Sequence, residues 1–360
     1  MAPPHCEIRF DDNPQGVFQG GQTLTGSVVL RLDKPILVND FRLVISGSAD
    51  VRWNVLRSRQ RSVTYVGKEE LLRAETKLIP QRDESTEIAA GVHVYNFASP
   101  IPLNVPTSFE GECGKIRYTV RAILDRPWKF DQTCTAAFTV LKPLDLNHHI
   151  SNLKVRKKQK LIKTFCCWPC ASNPLHIQVE IPMSGYVSGQ KIPITVSLNN
   201  TSNTRVTGIK SSLQRKVSYI SQHPKQKTRV MSKFLSNDWT AVTHDESATY
   251  LIELDVPEVA PTGKCSVLVI EYLLVVIVYV SGLHLNSRVE LPITIGTIPF
   301  PSSPTVSTTT ATVSNEQTDE TLTAIVLPLS VANDEALPPS YEEAMSGLTI
   351  NINDDHPSAI

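Results

Sequence analysis

Short runs of alternating apolar and polar residues recur through the first 300 positions: VVLRL, FRLVI, IRYTVRAIL, AAFTVL and IPITVSL. Alternation at period two places one face of a strand in a core and the other in water. Turns rich in Gly, Pro, Asn and Asp separate the runs, as chain reversals require. No stretch sustains a helical period. KEELLRAETK, residues 68–77, is the one segment whose composition would suit a short helix. Many short strands at regular spacing predict an all-β chain of two tandem antiparallel β-sandwich lobes, residues 5–146 and 174–298. Residues 147–173 join them, and residues 299–360 follow as a tail.

One run breaks the alternation. Residues 266–283, SVLVIEYLLVVIVYVSGL, are almost wholly apolar and about long enough to cross a bilayer. Glu271 sits inside the run, where a charge would be costly in hydrocarbon. The abundance of Val, Ile and Tyr suits a pleated surface instead, so the run is read as a buried strand and its neighbour.

An internal repeat supports that reading. A shift of 168 positions carries Gly21-Gln22 onto Gly189-Gln190, Val28 onto Val196 and Leu30 onto Leu198. The same shift carries Val38 onto Val206, Phe41-Arg42 onto Ile209-Lys210 and Ile45 onto Leu213. A shift of 154 carries Ile116-Arg117-Tyr118 onto Ile270-Glu271-Tyr272 and Ile123 onto Ile277. The apolar run therefore occupies the place of IRYTVRAIL, and the chain is read as a duplicated β domain.

The balance of 35 basic and 35 acidic residues hides an asymmetry. No Lys or Arg follows Arg288, while nine acids lie between residues 300 and 360, so residues 1–299 are net +9. The tail, rich in Ser and Thr and poor in aromatics, is expected to be disordered. The N-terminus lacks a basic flank followed by an apolar core and is not read as a signal peptide. Seven cysteines, three of them clustered, suit reduced thiols in the cytosol better than a disulfide framework.

Candidate chemistry is sparse. There is no Gly-rich phosphate loop, no Gly-x-Ser-x-Gly and no His-Glu-x-x-His, so neither an enzyme nor a cofactor is expected. Aromatic and basic residues are not interleaved as a nucleic-acid platform would need. His93, in an alternating run, is read as structural, and Trp53 and Trp128 as core or lobe-edge aromatics. The joining segment holds Lys154, Arg156, Lys157, Lys158, Lys160 and Lys163 with no acid among them. It is read either as a contact for anionic lipid or an acidic or phosphorylated partner, or as a solvated linker. Cys166, Cys167 and Cys170 have three readings: thiols packed at the lobe junction, a lipidation site beside basic residues, or metal ligands with nearby His148, His149 and His176.

Taken together, these residues resemble the arrestin fold, and within it the α-arrestins, over nearly the whole chain. The most specific piece is Gly91-x-His93-x-Tyr95-x-Phe97, then Pro102, Pro106, Ser108-Phe109-Glu110-Gly111, Ile116-x-Tyr118 and Leu124-Asp125-Arg126-Pro127-Trp128. Cys166-Cys167-Trp168-Pro169-Cys170 and a C-terminal Pro338-Pro339-x-Tyr341 are shared features too. The resemblance implies an adaptor that brings WW-domain HECT ubiquitin ligases to the cytoplasmic segments of membrane receptors or transporters. It further implies a cytoplasmic protein, peripherally associated with plasma membrane and endosomes, acting in endocytosis and endosomal sorting. The alternative within the same fold is a trafficking or sorting scaffold subunit without ligase recruitment.

Pro338 and Pro339 favour polyproline II, so little entropy is lost on docking into an aromatic groove, while Tyr341 fills a second pocket. Many relatives carry two such motifs; here Ile298-Pro299-Phe300-Pro301-Ser302-Ser303-Pro304 stands where another would be. A relative that binds thioredoxin uses a cysteine midway through its second lobe. This chain has none between Cys170 and Cys265, so the resemblance does not extend to that role.

Overall fold

A computed structural model describes residues 4–11, 13–57, 61–79, 85–167, 170–243 and 245–301. In the first lobe the strands are β1 (His5–Phe10), β2 (Val17–Gln19), β3 (Thr23–Leu32), β4 (Ile36–Val38), β5 (Asp40–Arg57) and β6 (Arg61–Lys77). They are followed by β7 (Thr86–Ile88), β8 (Gly91–Pro100), β9 (Phe109–Gly111), β10 (Gly114–Asp125) and β11 (Gln132–Leu141). Sheet β1-β3-β8 faces sheet β2-β11-β10-β5-β6, with β9 also paired to β10 and β4 paired to β7.

Two helical turns, Leu146–His149 and Ile150–Leu153, lead into β12 (Lys157–Lys163), β13 (Cys166–Cys167) and β14 (Cys170–Ala171). The second lobe continues with β15 (Leu175–Ile181), β16 (Gly185–Val187), β17 (Lys191–Asn200), β18 (Val206–Ser221) and β19 (Lys227–Ala241). It ends with β20 (Ser247–Asp255), β21 (Gly263–Lys264), β22 (Leu268–Val280) and β23 (Ser287–Gly296). Its sheets are β12-β15-β17-β20 and β16-β23-β22-β18-β19, with β21 on β22.

The repeat in the sequence is a repeat in space. The shift of 168 superposes β2 on β16 and β3 on β17, residue for residue. In each lobe the first of these pairs parallel with the last strand, Val17–Gln19 on Thr139–Leu141 and Gly185–Val187 on Thr294–Gly296. The glycine turn is copied in detail. Gly21 and Gly189 both take a left-handed backbone, φ +92° and +84°. Gln22 and Gln190 accept the amides of Gln19 and Val187 at 2.8 and 3.0 Å through their side-chain oxygens.

The shift of 154 is copied as well. Tyr118 donates its hydroxyl to the Pro106 carbonyl, and Tyr272 donates to the Ala260 carbonyl, twelve residues back in both cases. Both rings are about 1% exposed and sit at the centre of their sandwiches. Burial of the Leu, Ile and Val side chains around them stabilises each lobe by about 1.5–3 kcal/mol per fully buried residue. An amphipathic tyrosine can join that core only because its hydroxyl finds a carbonyl.

The apolar run at 266–283 contains a single strand, β22, held between β18 and β23. Its residues alternate inward, but Val275 on the opposite face is also fully buried, which explains the loss of alternation. Glu271 is exposed on that opposite face and meets Lys216 at 3.3 Å. The expected neighbouring strand lies outside the run, because the chain turns only after Val280. KEELLRAETK, whose composition suits a helix, lies within the 17-residue strand β6. Pairing with β5 overrides local preference there, because Leu72 is buried opposite Gly47, which also lies against the Tyr118 ring. A bulge opposite Gly47/Ser48 absorbs the extra residue.

Candidate partner-docking sites

Two seams hold the lobes together. At the first, the long β5–β6 hairpin reaches the turn after β18. Val66 and His223 exchange backbone hydrogen bonds at 2.9 and 3.0 Å, and Lys68 donates its amide to Gln222 Oε1 at 3.0 Å. Glu69 accepts both the amide and the hydroxyl of Ser266, at 2.6 and 2.7 Å. Tyr65 stacks on Trp53 at 5.6 Å and receives the Lys227 ammonium on its ring. Arg215 lies 5.3 Å over Phe109. At the second seam, Leu144 and Thr297 bond reciprocally at 2.8 and 2.9 Å, and Asn147 donates to the Pro299 carbonyl at 3.0 Å.

The six basic residues fall next to that second seam. Lys157 to Lys163 form β12, an edge strand laid antiparallel on β15. Leu161 turns inward to the core, while Lys158, Lys160 and Ile162 point outward and are exposed. Glu180, the cross-strand neighbour of Lys158 on β15, receives Arg156 at 2.8 Å and Lys158 at 3.8 Å. Lys163 donates to the Leu285 carbonyl, and partial burial depresses its ammonium below the ordinary lysine range. Lys154 lies 5.8 Å over the Phe300 ring. Of the outward lysines, Lys158 pairs with Glu180 and Lys160 has no ion-pair partner among the described residues. The outward face therefore keeps exposed positive charge at Lys160, while Lys157 lies on the other side of the strand with Leu161. The segment read as a possible solvated linker is therefore in large part a strand of the second lobe.

Cys166 and Cys167 belong to β13 and Cys170 to β14, a two-stranded turn with Cys167 opposite Cys170. Of the neighbouring histidines, His148 pairs with Asp145 at 3.3 Å, and His176 is exposed on β15 opposite Ile162. Among the described residues no group of three His, Cys, Asp or Glu is placed to hold a metal. No described helix is long and apolar enough to cross a membrane. Pro338, Pro339 and Tyr341 lie outside the described residues.

Several side chains have places that pattern reading did not supply. Trp53 is buried at the interlobe seam, but Trp128 is fully exposed in the β10–β11 turn, with φ +61°, beside an equally exposed Phe130. His93 donates from Nε2 to the Ala89 carbonyl, just before β8, at 2.8 Å. The seam residues Val66, Glu69 and Arg215 sit at no special sequence motif. Contacts between separate lobes leave no period along the chain, so only the structure reveals them.

Two stacked sheets per lobe, a parallel first-to-last strand pairing and a long hairpin at the seam define an arrestin-type two-lobed protein. The comparisons agree. Residues 6–147 match the arrestin (or S-antigen) N-terminal domain and residues 171–300 the arrestin (or S-antigen) C-terminal domain. Arrestin domain-containing protein 17 of Caenorhabditis elegans is 29% identical over 316 residues, covering 81% of this chain and 70% of its own. Arrestin domain-containing protein 4 of Mus musculus is 27% identical over 300 residues, covering 81% and 71%. Arrestin domain-containing protein 1 of Rattus norvegicus is 28% identical over 306 residues, covering 83% and 65%. The chain belongs to the arrestin domain-containing, or α-arrestin, family. That membership supports a trafficking adaptor role, in a class that works by binding partner proteins and is generally non-enzymatic.

Proposed function

We propose that this α-arrestin is a cytoplasmic adaptor that recruits WW-domain HECT ubiquitin ligases to the cytoplasmic segments of membrane receptors or transporters. It promotes their ubiquitination, endocytosis and endosomal sorting at the plasma membrane and endosomes. The observation that carries the reading is Leu337-Pro338-Pro339-Ser340-Tyr341, a Pro-Pro-x-Tyr step that holds the one aromatic residue after Phe300, in a tail that follows two arrestin lobes. Pro338, Pro339 and Tyr341 are the ligase-binding residues, and the catalysis belongs to the partner. By holding cargo and ligase on one chain, the adaptor raises their effective concentration for each other. The outward basic strip, Lys158 and Lys160 with Lys154, Arg156, Lys157 and Lys163 around it, contacts anionic lipid headgroups or acidic cargo. A single short motif binds at about micromolar affinity, near −8 kcal/mol.

Titration of the full chain into isolated WW domains of HECT ligases tests the proposal. Micromolar binding is expected, with a loss of tenfold or more in Tyr341→Ala. Equal binding by wild type and Tyr341→Ala, or none by either, would overturn ligase recruitment and favour the sorting-scaffold alternative.

A further inference from the structure

Cys6 lies on β1 and Cys134 on β11, strands from the two different sheets of the first lobe. The strands run side by side in parallel. Gln132 donates through Nε2 to the Pro4 carbonyl, Cys134 Sγ lies 3.0 Å from the Cys6 carbonyl oxygen, and Phe10 meets Phe138 edge-to-face at 6.2 Å. Each pair is 128 residues apart, so alternate residues of β1 face their counterparts on β11. Both thiols are free and half-buried, and the Cys134 thiol donates to the Cys6 carbonyl. Neither takes part in the docking sites described above.

We propose that Cys6 and Cys134 form a redox-modification site, which a peroxide closes to an intramolecular disulfide tying the N-terminal strand β1 to β11. The pair is chemically unequal. Hydrogen bonds from the Cys6 thiol and the Ile8 amide hold Cys134 below the ordinary thiol range. The bond to Cys134, reinforced by burial, pushes the Cys6 thiol up. Cys134 is therefore the thiol that gives up its proton first, leaving its bond to the Cys6 carbonyl, and as thiolate it attacks. Its sulfur bonds to one oxygen of hydrogen peroxide, the O–O bond breaks, and the other oxygen leaves as water after taking a proton. The product is a sulfenic acid. Forming it removes the negative sulfur that held the Cys6 proton. The Cys6 sulfur then attacks the sulfenic sulfur, the S–O bond breaks, and a second water leaves with that proton. Two thiols lose two electrons and two protons, and one peroxide becomes two waters.

The other described thiols lack these features. Cys113 is buried against the Met231 sulfur at 3.6 Å, and burial pushes Cys265 up to about 11. Closing a long loop restricts the unfolded chain, so the oxidised lobe is more stable than the reduced one.

The test treats the full-length chain with one equivalent of hydrogen peroxide and digests it without reductant. The expected result is a peptide pair joining Cys6 to Cys134, lighter by two hydrogens than the separate thiols and restored by dithiothreitol. The melting temperature of the oxidised protein rises by several degrees. In Cys6→Ser, Cys134 is trapped by a sulfenic-acid reagent, whereas in Cys134→Ser, Cys6 stays reduced. A Cys113→Ser, Cys265→Ser double variant closes the link at the wild-type rate. Absence of the joined peptides from oxidised wild type would overturn the proposal without any variant. So would faster oxidation at Cys113 or Cys265, or unimpaired oxidation of Cys6 in Cys134→Ser.

Discussion

The two lobes copy one another's centre and differ at one edge. In both, a short strand pairs parallel with the last strand, a glycine turn follows, and a buried tyrosine bonds a carbonyl twelve residues back. The difference lies outside the first strand of the smaller sheet. In the first lobe β1 ends that sheet, and carbonyls on its outer edge accept from β11 side chains, as the Cys6 carbonyl does from Cys134. In the second lobe the equivalent strand β15 is covered by β12, which the first lobe lacks. Duplication thus preserves what a core demands and leaves edges free to diverge. The lysines of β12 acquire a structural reason as well, since charged side chains on an exposed edge strand discourage pairing with another chain.

The most severe way to break this comparison is to remove the paired tyrosines. Tyr118→Ala and Tyr272→Ala are each expected to lose about 3–5 kcal/mol, the usual range for truncating a buried aromatic residue. Tyr→Phe at either position deprives a buried carbonyl of its donor and is expected to lose about 0.5–1.5 kcal/mol. Urea unfolding of the four variants measures both losses. If the lobes are equivalent, the two positions match; a loss at one only would show that the copied contact has lost its role in the other lobe. Burial also pushes both phenols above the ordinary tyrosine value of 10. A raised folded value means that the unfolded chain releases its proton first. Stability is therefore full below pH 10 and falls as pH rises beyond it. Each Tyr→Phe change should make that alkaline loss shallower.

Much of this architecture was legible in the sequence, for a physical reason. Alternation, the repeat and its glycine turns report local geometry, which each residue must satisfy with its neighbours. β22 was legible as a strand through its Val, Ile and Tyr content, Glu271 and the repeat rather than through alternation, because a central strand buried on both faces loses its period. β6 was misleading because its helix-forming residues are held extended by β5, a partner that composition does not reveal. The basic residues were legible as a cluster, but their division into Leu161 inward and Lys158, Lys160 and Ile162 outward needed the register with β15. The seam around Val66, Glu69 and Arg215 was not legible at all. Its contacts join residues more than 100 positions apart, such as Glu69 and Ser266.

A smaller effect sharpens the comparison at the turns. Both glycines are left-handed, so an Ala at either is strained by the backbone alone. At Gly189 the added Cβ meets nothing within 4 Å, whereas at Gly21 it meets Leu103 Cδ1 at 3.2 Å. Gly189→Ala is expected to cost about 1 kcal/mol from its φ alone. Gly21→Ala adds a contact that Leu103 must give way to, and is expected to cost more. Equal losses in urea unfolding would mean that Leu103 relaxes freely and that the two turns are interchangeable.

The smallest expected effect falls on the edge that the lobes do not share. Glu180, opposite Lys158 on the neighbouring strand β15, is mostly buried and receives Arg156 and Lys158, whose side chains are exposed. Exposed partners lose most of their attraction to water, so Glu180→Gln is expected to lose about 1 kcal/mol or less, and less still in high salt. Two readings of the basic strip then part. If the pairing chiefly fastens the strand, Glu180→Gln speeds tryptic cleavage after Lys157, Lys158 and Lys160 and leaves vesicle binding unchanged. If the strip contacts lipid, freeing Arg156 and Lys158 from the carboxylate strengthens binding to phosphatidylserine vesicles, and added salt removes the gain. Unchanged cleavage and unchanged binding together would mean that the backbone ladder to β15 and the inward Leu161 hold β12 alone. The edge would then owe its stability to the same forces as the duplicated core, and its lysines would serve only to keep other strands away.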